Sequence, residues 1–589
     1  MLTSLTAPAF AKTWCIEDGN ITVKAGDTGN DVTQKGETTY GDTDTIITNQ
    51  NKDIASSNTV TIETNDKNDK VEVTLKDVNI NVGSDSGSAL TSNGDVTLTL
   101  KGDNSLTGGN GGSGISSNGS LTITGGENDS LTAKGGSGRS GIFSSGGVTI
   151  SGGTVNATGG SSGSDSGDGI HSGSLTMKGG TVNAKGGSGA DGGSGSRTFS
   201  SGGVTISGGS TVNATGGDAS DKDASAGGSG ILIFGSGSLT VSDSTVTATG
   251  GNGGSARGSH GGNGISGKGS LTVSGGTVTA NGGNGSKSES SDRSNGGRGI
   301  DSGGVTISGG TVTATGGKSG SGDYSNGGNG ISSSGSLSIS GGTVTATAGS
   351  SSGSYGRDGI TTSSSLTISG GTVTANGGSG SYRGGSGISS SDIELSGSLE
   401  LTAKAGSPNG KALSQNGIEL DPNTFKEKLD PGANIITKDA DGKVINQVSS
   451  PRPVEPEGPV IPEESSSSSD SGSSTPSADG GSATPSAPAS PLPGLTVTDK
   501  DGQRISYTSI RGNNVLSLRV GRLTASFRIS PAALRQLRAE GIDTITFQTI
   551  LCSTTLSVDE LLTMGGEDTE VVLTHHIRSS TLTVGGKAV

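Results

Sequence analysis

Residues 264–283 read GISGKGSLTVSGGTVTANGG. In Leu271-Thr272-Val273 and again in Val278-Thr279-Ala280, apolar side chains alternate with Thr, the two-residue period of a half-buried strand. Ser274-Gly275-Gly276 between them breaks the strand and turns the chain. Gly264-Ile265 adds a third, shorter extended piece. Ile265, Leu271, Val273, Val278 and Ala280 point to one side, and five small aliphatics cannot offset the conformational entropy of ordering the whole unit. A lone unit therefore cannot fold. Units stacked one above another share a continuous narrow core, so the stretch predicts one rung of a parallel β-helix.

The phrase recurs along the chain. Gly-Ile markers fall at Ile115, Ile142, Ile170, Ile231, Ile265, Ile300, Ile331, Ile360, Ile388 and Ile418, with Phe199 filling the gap between Ile170 and Ile231, and the spacings run from 27 to 35 residues. A Gly/Ser-rich stretch of variable length closes each unit. Composition agrees with a thin core: 113 of 589 residues are Gly, hydrophobic residues are 26% and aromatics 2%. One large globular enzyme domain is excluded for want of large side chains. Collagen is excluded because Gly does not recur every third residue. The formal charge of −15 disfavours nucleic acid, which selects basic surfaces. No stretch of about 18 apolar residues is present to span a membrane.

Four segments follow. Residues 1–11 end in Ala9-Phe10-Ala11, a small-x-small pattern that reads as the remnant of a secretory signal peptide. Residues 12–448 form the β-helix, expected to have about 14 rungs, with Leu90 in the marker position and atypical N-terminal rungs before it. Residues 449–493 are a Pro/Ser/Gly-rich linker. Residues 494–589 carry 10 basic and 9 acidic residues from Leu495 onward and read as a small α+β module with a duplicated strand–helix–strand. Its first helix starts at Ser530-Pro531 and stops at Gly541; its second starts at Ser557. Cys15 and Cys552 are too far apart in sequence to suggest a disulfide framework and read as small packing residues.

TWCIEDGNITV (13–23), VEVTLKDVNINV (71–82) and the recurring SLTISGGTVTA phrase (complete at 365–375) resemble secreted bacterial, mostly clostridial, carbohydrate-binding-domain proteins. The resemblance spans Trp14 to Val448. It implies a right-handed parallel β-helix, and a non-catalytic role in binding plant cell-wall or other extracellular polysaccharide, sometimes with Ca²⁺. No ligand motif transfers residue by residue.

The residues themselves offer one candidate site. Tyr324, Tyr355 and Tyr382 precede their markers by 7, 5 and 6 residues, which puts them in the same variable loop of three successive rungs, flanked by Arg357, Asp358 and Arg383. Stacking would make a short aromatic and charged strip, with rings for sugar faces and Arg for uronate carboxylates. Exposed tyrosines on loops are the plainer reading. Asp218, Asp221 and Asp223 supply hard oxygen ligands for calcium, the candidate cofactor, against the plainer reading of a solvated acidic loop. A GGxGxD Ca²⁺ roll is ruled out, since Gly186 to Asp191 is the single match. Catalysis finds no support: the carboxylate cluster of a polygalacturonase and the Ca²⁺-carboxylate set of a lyase are missing, and four histidines make no triad. The outward Thr-x-Thr/Asn column, from Thr154/Asn156 to Thr372/Thr374, reads as a soluble β-favouring face in preference to an ice-binding one. The expected function is a secreted, non-enzymatic polysaccharide binder. The alternatives are an adhesin or spacer rod with a protein partner, and then a polysaccharide lyase or hydrolase.

Overall fold

In a computed structural model of the chain, a parallel β-solenoid of about 16 turns is followed by a small unit with two short sheets. The structure describes residues 10–64, 70–199, 202–221, 225–256, 258–286, 293–320, 324–353, 355–450, 494–499, 502–505, 507–512, 514–520, 522, 524–549, 553–564, 569–576, 580–585 and 587–588. Two compact units divide between Gly458 and Pro459.

The turn that decides the fold forms as its pattern dictates. Strands Ile265–Gly267, Ser270–Val273 and Thr277–Asn281 each pair in parallel with their counterparts above and below. Ile231, Ile265 and Ile300 stand in one column, Leu239, Leu271 and Val305 in a second, and Val246, Val278 and Val312 in a third. All five inward aliphatics of this turn are buried. The Thr residues between them face out, and Asn156, Asn183 and Asn213 join side chain to side chain at 2.8 Å down that outer face.

Glycine is needed at two kinds of position. Gly276 closes the Ser-Gly-Gly turn at φ +77°, a region L-residues avoid. Gly283 has ordinary dihedrals, but a Cβ on it would lie 1.9 Å from the carbonyl oxygen of Gly251 one turn below. The backbones of successive turns are packed too closely there for any side chain.

Three expectations of register change. There are about 16 turns where 14 are expected from about 30 residues per turn; steps such as Leu90 to Ile115, Ile170 to Ser196 and Ile388 to Leu413 are shorter than that. Ser196, not Phe199, fills the column between Ile170 and Ile231. Leu413, not Ile418, follows Ile388; Ile418 is 71% exposed on a short antiparallel strand. Leu90 does take the marker position, between Val60 and Ile115.

Both ends of the solenoid carry antiparallel pairs that blunt the open ladder: Ile21–Ala25 with Asn30–Gln34, and Asn434–Lys438 with Val444–Ser449. Trp14 is buried and its Nε1 donates to the Asp42 carboxylate at 2.8 Å. Phe10 and Ala11 belong to the strand Phe10–Cys15, which pairs with Glu37–Thr48; residues 1–9 of the expected signal segment lie outside the described residues. Cys15 is free and half-buried, with Sγ 2.8 Å from a Glu17 carboxylate oxygen; Cys552 lies outside the described residues. Of the expected linker, Ser449 ends the last solenoid strand and residues 451–493 lie outside the described residues.

The C-terminal unit holds a five-stranded and a four-stranded sheet. Its helices are Pro531–Ala539, capped by Ser530 with Pro at the first turn, and Val558–Met564. Phe527 and Phe547, at 5.6 Å between ring centroids, anchor its own core.

Candidate functional site

The loops that close each turn run just before the marker strands, so the ladder register aligns them. Asn326 pairs in parallel with Tyr355, and Tyr355 with Arg383. The Gly356 amide donates to the Arg383 carbonyl at 2.7 Å. Tyr355 and Tyr382 meet edge to face with centroids 5.7 Å apart. The three tyrosines remain open to solvent, at 62%, 48% and 70% for Tyr324, Tyr355 and Tyr382.

A cleft of about 460 Å³ opens beside them, lined by Tyr324, Tyr355, Arg357, Asp358 and Arg383. Five of the six expected residues thus share one cleft, and Tyr382 joins it through its contact with Tyr355. Arg293 and Asn326 also line it and went unnoticed in the sequence. Arg293 stands seven residues before Ile300, the offset of Tyr324 from Ile331, so the same register argument would have found it. A second cleft of about 370 Å³ adjoins the first through Asn326 and Arg357, and extends along the turns to Arg298 and His260.

Asp358 has a structural duty as well. Its Oδ1 accepts the Ser386 amide of the next turn at 2.7 Å, and its own amide donates to Asn329 Oδ1 at 3.0 Å. Asp168 and Asn263 occupy the same place, two residues before a marker, and make the same link to Ser194 and Arg298. Packing against the loops pushes the Asp358 carboxyl above its ordinary range, opposed by the Ser386 amide and by Arg357. The same burial pulls the Arg357 guanidinium down; Asp358 opposes this and Arg298 adds to it. Among the described lining residues of the first cleft, Asp358 is the one carboxylate. The walls therefore offer aromatic faces, fork-shaped cationic donors and backbone amides.

The expected metal residues lie elsewhere. Asp218 and Asp221 line a separate cleft of about 420 Å³ with Asn252 and Asn284, and Asp223 lies outside the described residues. Asp218 Oδ1 accepts the Asn252 amide at 2.7 Å. Asp221 Oδ1 accepts the Ser255 amide at 3.1 Å and its hydroxyl at 2.5 Å, and these hydrogen bonds lower its pKa. No group of three or more His, Cys, Asp or Glu residues able to hold a metal occurs among the described residues. No helix among them is long and apolar enough to cross a membrane.

No protein-family model, no curated protein and no solved structure matches the chain.

Proposed function

We propose that this chain is a secreted, non-catalytic polysaccharide-binding solenoid of the extracellular space or cell surface, in keeping with the carbohydrate-binding-domain proteins that its sequence resembles. The observation that carries the reading is the pairing of Tyr355 and Tyr382 rings, 5.7 Å apart, on stacked loops beside Arg357 and Arg383. Tyrosine rings offer flat amphipathic faces to a pyranose ring, and guanidinium groups bind carboxylates through paired N–H donors. A uronate-containing glycan satisfies both.

The test is retention of the purified chain on a panel of insoluble plant and microbial polysaccharides, with and without a chelator. Retention on one acidic glycan is expected, and its loss when Tyr324, Tyr355 and Tyr382 are changed to Ala. A chelator effect would add calcium, with Asp218 and Asp221 as the first ligands to substitute. Retention unchanged in the triple variant removes the tyrosine strip as the site. No retention on any glycan favours the alternative, a spacer or adhesin rod with a protein partner.

A further inference from the structure

The residue that follows each marker is Ser116, Ser266, Asp301, Ser332, Thr361 and Ser389 on most turns. On four consecutive turns the column instead holds Phe143, His171, Arg197 and Leu232, paired in register. Phe199 and Phe234 stand beside it, so three of the chain's seven phenylalanines gather on one stretch of the solenoid. The Phe143 and His171 rings meet edge to face at 5.6 Å, and His171 and Phe199 at 5.2 Å. The Arg197 guanidinium lies over Phe234 at 5.7 Å. Buried Asp168 orients the cluster: its Oδ2 is 3.0 Å from His171 Nδ1, while its Oδ1 accepts the Ser194 amide.

Phe143 and His171 line a cavity of about 300 Å³ together with Ser113, Ser116, Ser140 and Arg139. That volume is at the small end for ligand sites and suits one ring-shaped polar molecule. Aromatic rings, hydroxyls and an arginine in one lining match the two chemistries of a sugar ring. The columns are also those of the first cleft. Arg139 and Arg357 each stand three residues before their marker, Ser140 and Asp358 two before. The marker ladder runs unbroken from Ile142 to Ile360 through seven steps. At about 4.8 Å per step the two cavities lie about 34 Å apart along one edge of the solenoid.

We propose that the cavity at Arg139, Phe143 and His171 is a second sugar subsite, and that a single polysaccharide strand lying along this edge engages both clefts. The proposal rests on the polysaccharide reading above. It makes retention depend on chain length, because the second contact becomes intramolecular once the first is made.

The test uses the full chain in affinity electrophoresis through polygalacturonate and through xylan, each as long polymer and as short oligomer. Titration calorimetry with the oligomer gives the stoichiometry. In the wild type, two oligomers bind per chain and the polymer is held more tightly than the oligomer. Arg139→Gln with Phe143→Ala is expected to reduce the stoichiometry to one and weaken polymer retention about tenfold or more. Arg139→Gln alone, at an exposed side chain, carries the test if the double variant melts early. Unchanged polymer retention and stoichiometry in these variants, with retention abolished by Tyr355→Ala, overturns the second subsite alone. Retention on neither glycan in any form overturns it together with the first reading.

Discussion

Gly276 sits at φ +77° with the Ser244 carbonyl oxygen 2.1 Å from where a Cβ would stand, whereas Gly209, at φ +70°, faces open space. Alanine at Gly209 meets backbone strain alone, about 1 kcal/mol; alanine at Gly276 adds a backbone clash and should cost about 3 kcal/mol. Chemical denaturation of the two variants separates the contributions. Asp358 gives a second residue-scale outcome. Burial raises its folded-state pKa, so the folded state holds its proton more tightly than the unfolded one. Its contribution is therefore fully present below the ordinary carboxylate range and is lost as pH rises through the raised value. Asn329 makes the same link one turn earlier as a neutral amide, so Asp358→Asn should keep the Ser386 hydrogen bond and remove the penalty. Denaturation midpoints should show the variant gaining on wild type as pH increases from acid to neutral. The tyrosine strip was legible because three rare side chains fall five to seven residues before successive markers. The Asx link was not, because its column mixes Asp168, Asn263, Arg298, Asn329, Asp358 and Ser386, so no one residue type repeats two places before the marker.

Most strands of the solenoid are short, and their stability comes from the turns on either side. Leu271 is buried between Leu239 and Val305. Leu271→Ala should cost about 3 kcal/mol. Hydrogen exchange should speed up first in the turns marked by Ile231, Ile265 and Ile300 and little beyond them, because coupling passes between nearest neighbours. Strand alternation was readable from sequence wherever aliphatics alternate with Thr. Column identity failed where that chemistry was diluted. Ser196 carries no hydrophobic signal, so nearby Phe199 drew the assignment. Gly417-Ile418 repeats the marker dipeptide, yet Asn416 and Gly417 take positive φ there and turn the chain back on itself.

At the scale of the whole molecule, the solenoid and the C-terminal unit each have their own buried core. Two cores predict two unfolding transitions. Scanning calorimetry should show Leu271→Ala lowering one transition and Leu537→Ala, in the core of the C-terminal unit, lowering the other. A single transition moved by both substitutions would count against independence. The division was legible in composition, since residues 449–493 abandon both the repeat and strand alternation. The perfect register of Gly264-Ile265 on Gly299-Ile300 has a further consequence. Excising residues 265–299 joins Gly264 directly to Ile300, the residue that already lies above Ile265, and leaves every remaining column aligned. Adding or dropping a whole turn at this dipeptide thus carries no folding penalty at the join. The length of the solenoid is adjustable in discrete increments, and with it the reach between any two features on its edge.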